Sequence, residues 1–191
     1  MKIALNVWKI LTIVMILLVV ANLYFTYTLF GITGKLTDIL SKLGTNGGKV
    51  TALSKTVGDF YLTDQDVCKK DGKPIIYLFG TTWCPHCQWA KPILEKVVQK
   101  FGSEIDARLY ELDQQNAPAE DEAIYENYNP QGSIPTFVFG CKYFRVGNDA
   151  HESANDTTTE EKEFTAVICK LTGGKPASVC SEVSSLVSQV Q

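Results

Sequence analysis

Ile75-Ile76-Tyr77-Leu78-Phe79-Gly80-Thr81-Thr82-Trp83-Cys84-Pro85-His86-Cys87 decides the fold, because an apolar run gives way there to a helix start carrying two cysteines. Ile75 to Gly80 is short and rich in β-branched and aromatic residues. It is bounded by Asp71-Gly72-Lys73-Pro74 before and Thr81-Thr82 after, which suits a buried strand. From about Cys84 to Phe101 the apolar positions Ile93, Leu94, Val97, Val98 and Phe101 follow helical spacing. Pro92 lies inside that helix, removes a backbone donor, and predicts a kink.

Working outward towards the C-terminus, Ile105 to Leu112 alternates as a second strand, and Asn116 with Pro118 reads as a helix start ahead of Ile124 and Tyr128. Phe137 to Phe139 and Tyr143 to Val146 form a hairpin through Gly140-Cys141-Lys142. Residues 147–163 are acidic and polar, and read as a solvated connection. Two helices close the chain, with apolar stripes at Phe164, Val167, Ile168, Leu171 and at Val183, Leu186, Val187, Val190. Gly173-Gly174-Lys175-Pro176 is the turn between them. The order strand, helix, strand, helix, hairpin, helix gives an α/β fold: a mixed sheet flanked by helices, with an extra C-terminal helix.

Towards the N-terminus the composition is that of a membrane segment. Residues 10–30 are almost wholly apolar, and roughly 21 positions at about 1.5 Å each span about 30 Å, a bilayer core. A cleaved signal peptide has an apolar region of only about 7–15 residues and a small-x-small site, which Val19-Val20-Ala21 does not provide. The expected organisation is an N-terminal tail over 1–9, a transmembrane helix over 10–30, a linker over 31–58 and a globular domain over 59–191. Within the linker, Leu36, Ile39, Leu40 and Leu43 suit a short amphipathic turn, and Gly44-Thr45-Asn46-Gly47-Gly48 is a break.

Basic residues do not orient the span. Lys2 and Lys9 precede it, and Lys35, Lys42, Lys49 and Lys55 follow it. The cysteines orient it instead: there are six, only two of them in the Cys84–Cys87 motif, so the domain is expected in an oxidising compartment outside the cytoplasm. The sequon Asn155-Asp156-Thr157 agrees with export. A formal charge of −3, with 18 Lys and Arg scattered along the chain, leaves no basic stripe for nucleic acid.

Two cysteines three apart at a helix start suit thiol–disulfide exchange. Cys84 would sit among unpaired backbone N–H groups at the positive end of the helix dipole, which favours its thiolate, and Cys87 comes round to the same side to resolve a mixed disulfide. His86, by donating a hydrogen bond or as a cation, would stabilise that thiolate further and make the disulfide a stronger oxidant. The competing chemistry is metal binding by Cys84 and Cys87 with His86 or His151, as in a metal carrier or assembly factor; no second CxxC completes a zinc site. The other cysteines, Cys68, Cys141, Cys169 and Cys180, allow three pairings, with buried free thiols as the lesser alternative. Cys169 and Cys180 flank the turn between the last two helices, so a bridge there would staple the final helix, worth about 2–3 kcal/mol.

With CxxC at the junction of first strand and helix, residues 59–172 resemble the thioredoxin-like superfamily. The resemblance rests on Trp83-Cys84-Pro85-His86-Cys87, Pro92, the strand ending Leu112-Asp113, and Ile134-Pro135-Thr136. It implies a membrane-anchored thiol–disulfide oxidoreductase without cofactor or metal, with Cys84 and Cys87 catalytic, Pro85 and His86 tuning the potential, and Trp83, Ile134 and a cis Pro135 forming the substrate-binding wall. Cys-Pro-His-Cys is the variant typical of the disulfide-forming, DsbA-like branch, which points to the oxidising half of the range between roughly −270 and −120 mV. The family's sheet would also place Cys68 and Cys141 at one edge as partners. One departure is Leu78, where the family commonly has a buried acid; either water serves, or another group such as Glu111 does, or the enzyme depends less on deprotonating Cys87. The partners implied are exported cysteine-containing proteins and a membrane redox partner, with oxidase, isomerase and reductase directions all open.

Overall fold

The structure, a computed structural model, describes residues 8–28 and 50–191, and the chain divides into two compact units, Met1–Gly48 and Lys49–Gln191. In the first, helix α1 (Trp8–Thr28) has a mean hydropathy of 2.2 and none of it is buried inside the protein, so it is long and apolar enough to cross a membrane. Its threonines are satisfied within the helix: Thr12 Oγ1 donates to Trp8 O (3.0 Å) and Thr26 Oγ1 to Asn22 O (2.9 Å). The amphipathic turn and glycine-rich break expected between Leu36 and Gly48 lie outside the described residues, as does most of the 1–9 tail.

The second unit starts earlier than Asp59. Strand β1 (Ala52–Lys55) pairs antiparallel with β2 (Tyr61–Thr63) across a 3-10 turn at Val57–Asp59. The composition concealed this strand because it is a short, largely exposed edge. Tertiary partners hold it: Ser54 Oγ bonds Gln191 Oε1 (2.7 Å), and the adjoining Thr56 Oγ1 accepts from Gln191 N (3.0 Å).

The sheet then builds from β3 (Lys69–Lys70), β4 (Lys73–Gly80), β5 (Asp106–Glu111), β6 (Thr136–Phe139) and β7 (Tyr143–Val146). Its order is β1-β2-β7-β6-β4, with β5 parallel to β4 on the far side and β3 a short hairpin partner at the start of β4. β6 is antiparallel to both β4 and β7. The parallel pair needs a crossover, and helix α2 (Pro85–Phe101) supplies it, running on through Pro92.

Both faces of β4 are covered, which is why its sequence reads as a continuous apolar run. Ile76 and Leu78 pack with Phe137 and Phe139 against Leu94 and Val97 of α2 and against Phe164 and Ile168 of helix α5 (Thr157–Thr172). On the other face Ile75, Tyr77 and Phe79 pack with Val138 and with Tyr128 of helix α3 (Ala119–Tyr128). The segment from 147 to 156, expected as solvated connection, contains helix α4 (Ala150–Ala154).

The closing segment is not one helix. It breaks into α6 (Ala177–Cys180), a 3-10 turn (Ser181–Val183) and α7 (Ser184–Val187). Serines at 178, 181, 184, 185 and 188 compete for the backbone, as when Ser188 Oγ donates to Ser185 O (2.7 Å), while Val183 and Val190 still reach the core.

Candidate active site

The end of β4 is tied to the end of β5 before the helix begins. Leu112 N donates to Gly80 O (2.8 Å), Thr82 N donates to Asp113 Oδ1 (2.9 Å), and the Thr82 hydroxyl donates to the same carboxylate. Cys84 then takes the N-cap position in an extended conformation (φ −80, ψ 117), and its sulfur accepts the Cys87 N–H at 3.3 Å. Pro85 fills the first helical position, where no donor is needed, and Gln88 N opens the ladder on Cys84 O (3.0 Å).

Cys87 lies beneath this cap. Gly80 makes room for it: a Cβ on Gly80 would come within 3.1 Å of the Cys87 sulfur. Burial, chiefly, and the hydrogen bond with Cys84 push the Cys87 thiol up to about 12. Both motif cysteines are unbonded, whereas Cys68 is joined to Cys141 and Cys169 to Cys180.

The other wall comes from the turn before β6. Ile134 O stands 4.0 Å from Cys84 Sγ, and the Ile134–Pro135 bond is cis. Thr136 Oγ1 donates to Ser133 O (2.7 Å) and accepts from Asn129 Nδ2 (2.8 Å), which holds the turn in place. Trp83, 69% exposed, flanks the cap on the solvent side.

The structure brings one further element to the motif that the sequence reading treated as solvated connection. Glu152 of α4 meets His86 Nδ1, with both carboxylate oxygens at 2.8 Å. Asn148 Nδ2 donates to His86 O (2.9 Å), and Trp89 Nε1 donates to Asn155 Oδ1 (3.1 Å). Behind α4, the buried Arg145 pairs with Glu160, donates to Gly58 O (2.8 Å) and lies 4.8 Å from the centre of the Phe137 ring. The one signal for this anchor was an arginine in the otherwise apolar Tyr143-Phe144-Arg145-Val146 strand.

Leu78, at the position of the missing acid, is 2% exposed in the apolar core. Glu111 instead pairs with Lys91 at 2.5 Å, and both line a cavity of ≈ 100 Å³ that also receives Cys87 and Thr81. Among the described residues Asp149, His151 and Glu163 lie close enough to hold a metal ion, but they already answer one another: His151 Nε2 is 3.3 Å from Glu163 and 3.5 Å from Asp149. Burial pushes Glu163 up to about 6. The imidazoles that a metal carrier would direct at the cysteines thus face carboxylates.

This geometry can be set beside known proteins. The thioredoxin family model matches residues 61–168. A protein disulfide-isomerase of Medicago sativa is 36% identical over 77 residues, 40% of this chain and 14% of that protein. The chloroplastic thioredoxin Y of Oryza sativa subsp. japonica is 28% identical over 103 residues, 54% of this chain and 52% of that protein. The chain therefore spans about half or less of the length of these curated relatives. Among solved structures, the oxidoreductase NmDsbA1 from N. meningitidis is 13% identical over 64% of this chain and 95% of its own, with a TM-score of 0.41. The germline-specific thioredoxin Deadhead from Drosophila melanogaster is 27% identical over 44% of this chain and 78% of its own, with a TM-score of 0.33. The matched span covers more than half of the sequence and holds both motif cysteines and the Ile134–Pro135 turn, and on it the chain belongs to the thioredoxin family.

Proposed function

We propose that the chain is a membrane-tethered thiol–disulfide oxidoreductase that acts outside the cytoplasm on protein cysteines, as an oxidase or isomerase. The observation that carries this reading is the asymmetry of the two sulfurs: Cys84 caps α2, while Cys87 is held beneath it as a thiol with its pKa pushed up to about 12. In the oxidising direction a substrate thiolate attacks Cys84 of the Cys84–Cys87 disulfide, forming a mixed disulfide and releasing Cys87, which takes up a proton. A second substrate thiolate then displaces Cys84. Two electrons pass from the substrate to the enzyme as one disulfide replaces another, and a membrane redox partner would take them on.

Cys87 governs the competing escape. To expel the substrate as a thiol it must first ionise, and the burial that pushes its pKa up disfavours that step. The mixed disulfide therefore persists long enough for a second substrate thiol to complete oxidation or rearrangement. The exposed Trp83 and the half-buried Ile134, whose carbonyl faces Cys84 at the turn before the buried Pro135, would receive the substrate segment.

Equilibration of the purified chain with glutathione buffers, read by mass after alkylation, tests this. A reversible two-electron couple that disappears in Cys84→Ser is expected. Stoichiometric zinc or copper retained by the cysteines, with no such couple, would favour the metal carrier instead.

A further inference from the structure

We propose that Glu152 is a positioning residue for the redox centre: by holding the His86 imidazole away from Cys84 it makes the Cys84–Cys87 disulfide a weaker oxidant. This rests on the thiol–disulfide exchange proposed above. His86 stands between the two cysteines and is the motif residue best placed to offer a donor to a sulfur anion. Its Nδ1 is engaged by both oxygens of Glu152 at 2.8 Å. The hydrogen-bond partners of the Cys84 sulfur among the described residues are Cys87 N and Ile134 O, and the imidazole is not one of them.

The pairing is built rather than incidental. His86 is 62% exposed, but the Glu152 side chain only 23%, so the carboxylate is largely withdrawn from water and screened less than a surface partner. The same segment grips the first turns of α2 twice more, through Asn148 to His86 O and through Asn155 to Trp89 Nε1. Asp149 caps α4 by accepting His151 N (2.8 Å), which fixes the direction from which Glu152 arrives.

The consequence for potential follows from the couple itself. Reduction breaks the Cys84–Cys87 bond and adds two electrons and two protons to leave two thiols, or one proton where Cys84 stays as the anion. Whatever stabilises that anion stabilises the reduced form and makes the disulfide more oxidising. Glu152 acts against it twice, by turning the imidazole donor aside and by placing a second negative charge beside the motif.

The test is the equilibrium of the full-length chain in detergent with glutathione buffers at pH 7, for the wild type, Glu152→Gln, Glu152→Asp, His86→Ala and the double variant Glu152→Gln/His86→Ala. Glu152→Gln is expected to shift the equilibrium about tenfold towards the reduced pair, about 30 mV for a two-electron couple. Glu152→Asp, which keeps the charge but shortens the reach, should shift it the same way. With His86 already Ala, adding Glu152→Gln should change it less than about threefold. A Glu152→Gln constant within about twofold of wild type, or the same tenfold shift when His86 is Ala, overturns the proposal while leaving the exchange activity standing. A wild-type chain with no two-electron couple ends the parent reading and this one with it.

Discussion

Cys84 and Cys87 are each 4% exposed, so access alone does not give them different tasks. Their difference is one of position: Cys84 caps α2, whereas Cys87 packs against Gly80, and its thiol is pushed up to about 12. An alkylating agent applied to the reduced chain at pH 6 should therefore modify Cys84 first, and peptide mapping of the adducts checks the order. The same shift sets a pH dependence. Because resolution of a mixed disulfide needs the Cys87 thiolate, its rate should climb about tenfold per pH unit from 7 to 9, with no plateau, in single-turnover kinetics. A plateau near pH 8 would mean that Cys87 has an ordinary thiol's pKa at the moment of attack. At this scale the motif was legible because strand end, cap and helix start are contiguous in sequence. Glu152 was not, because it reaches His86 from 66 residues away and its own stretch has the polar composition of a loop.

Among the elements, α3 shows how a polar residue can fix packing. Asp121, 1% exposed, accepts from Tyr77 of β4 (2.9 Å), from Tyr110 of β5, and from Arg108 Nη1 of β5 (2.7 Å). Burial pulls its carboxyl up, but these bonds together outweigh burial and hold it below the usual range. Asp121→Ala would strand the Arg108 guanidinium and two hydroxyls, and is expected to cost about 3 kcal/mol in urea unfolding, with Asn retaining part of it. Because the folded pKa is depressed, the ionised carboxylate's contribution is present at neutral pH and is lost as pH falls below 3.8, a dependence that Asp121→Asn should remove. The closing segment depends on a covalent tie. The Cys169–Cys180 bridge closes a loop of 11 residues, worth about 3 kcal/mol in the chain-entropy model, so Cys169→Ser/Cys180→Ser should unfold at correspondingly lower urea. Long periodic elements such as α2 and α5 were readable because their stripes meet the core. The exposed β1 edge and the serine-broken C-terminus were not, because tertiary contacts and local side-chain competition decide them, and neither leaves a period in the sequence.

For the whole molecule, the question is on which side of a membrane the cysteines work. By length and composition α1 is able to cross a bilayer. The flanking lysines do not orient it. The proposed placement outside the cytoplasm would suit the two bridges outside the motif, Cys68–Cys141 and Cys169–Cys180, since disulfides are rare where glutathione and thioredoxin keep thiols reduced. The first bridge spans 73 residues and is worth about 4 kcal/mol in the chain-entropy model, so a domain facing the cytoplasm would lose much of an ordinary stability margin of about 5–15 kcal/mol. Full-length protein should therefore resist alkaline carbonate extraction from membranes, whereas a chain starting at Val50 should be released as soluble protein. In intact cells or right-side-out vesicles treated with a mild membrane-impermeant reductant, a membrane-impermeant maleimide should label Cys84 without detergent. Labelling that appears only after permeabilisation would put the domain in the cytoplasm and leave both bridges without an environment that maintains them.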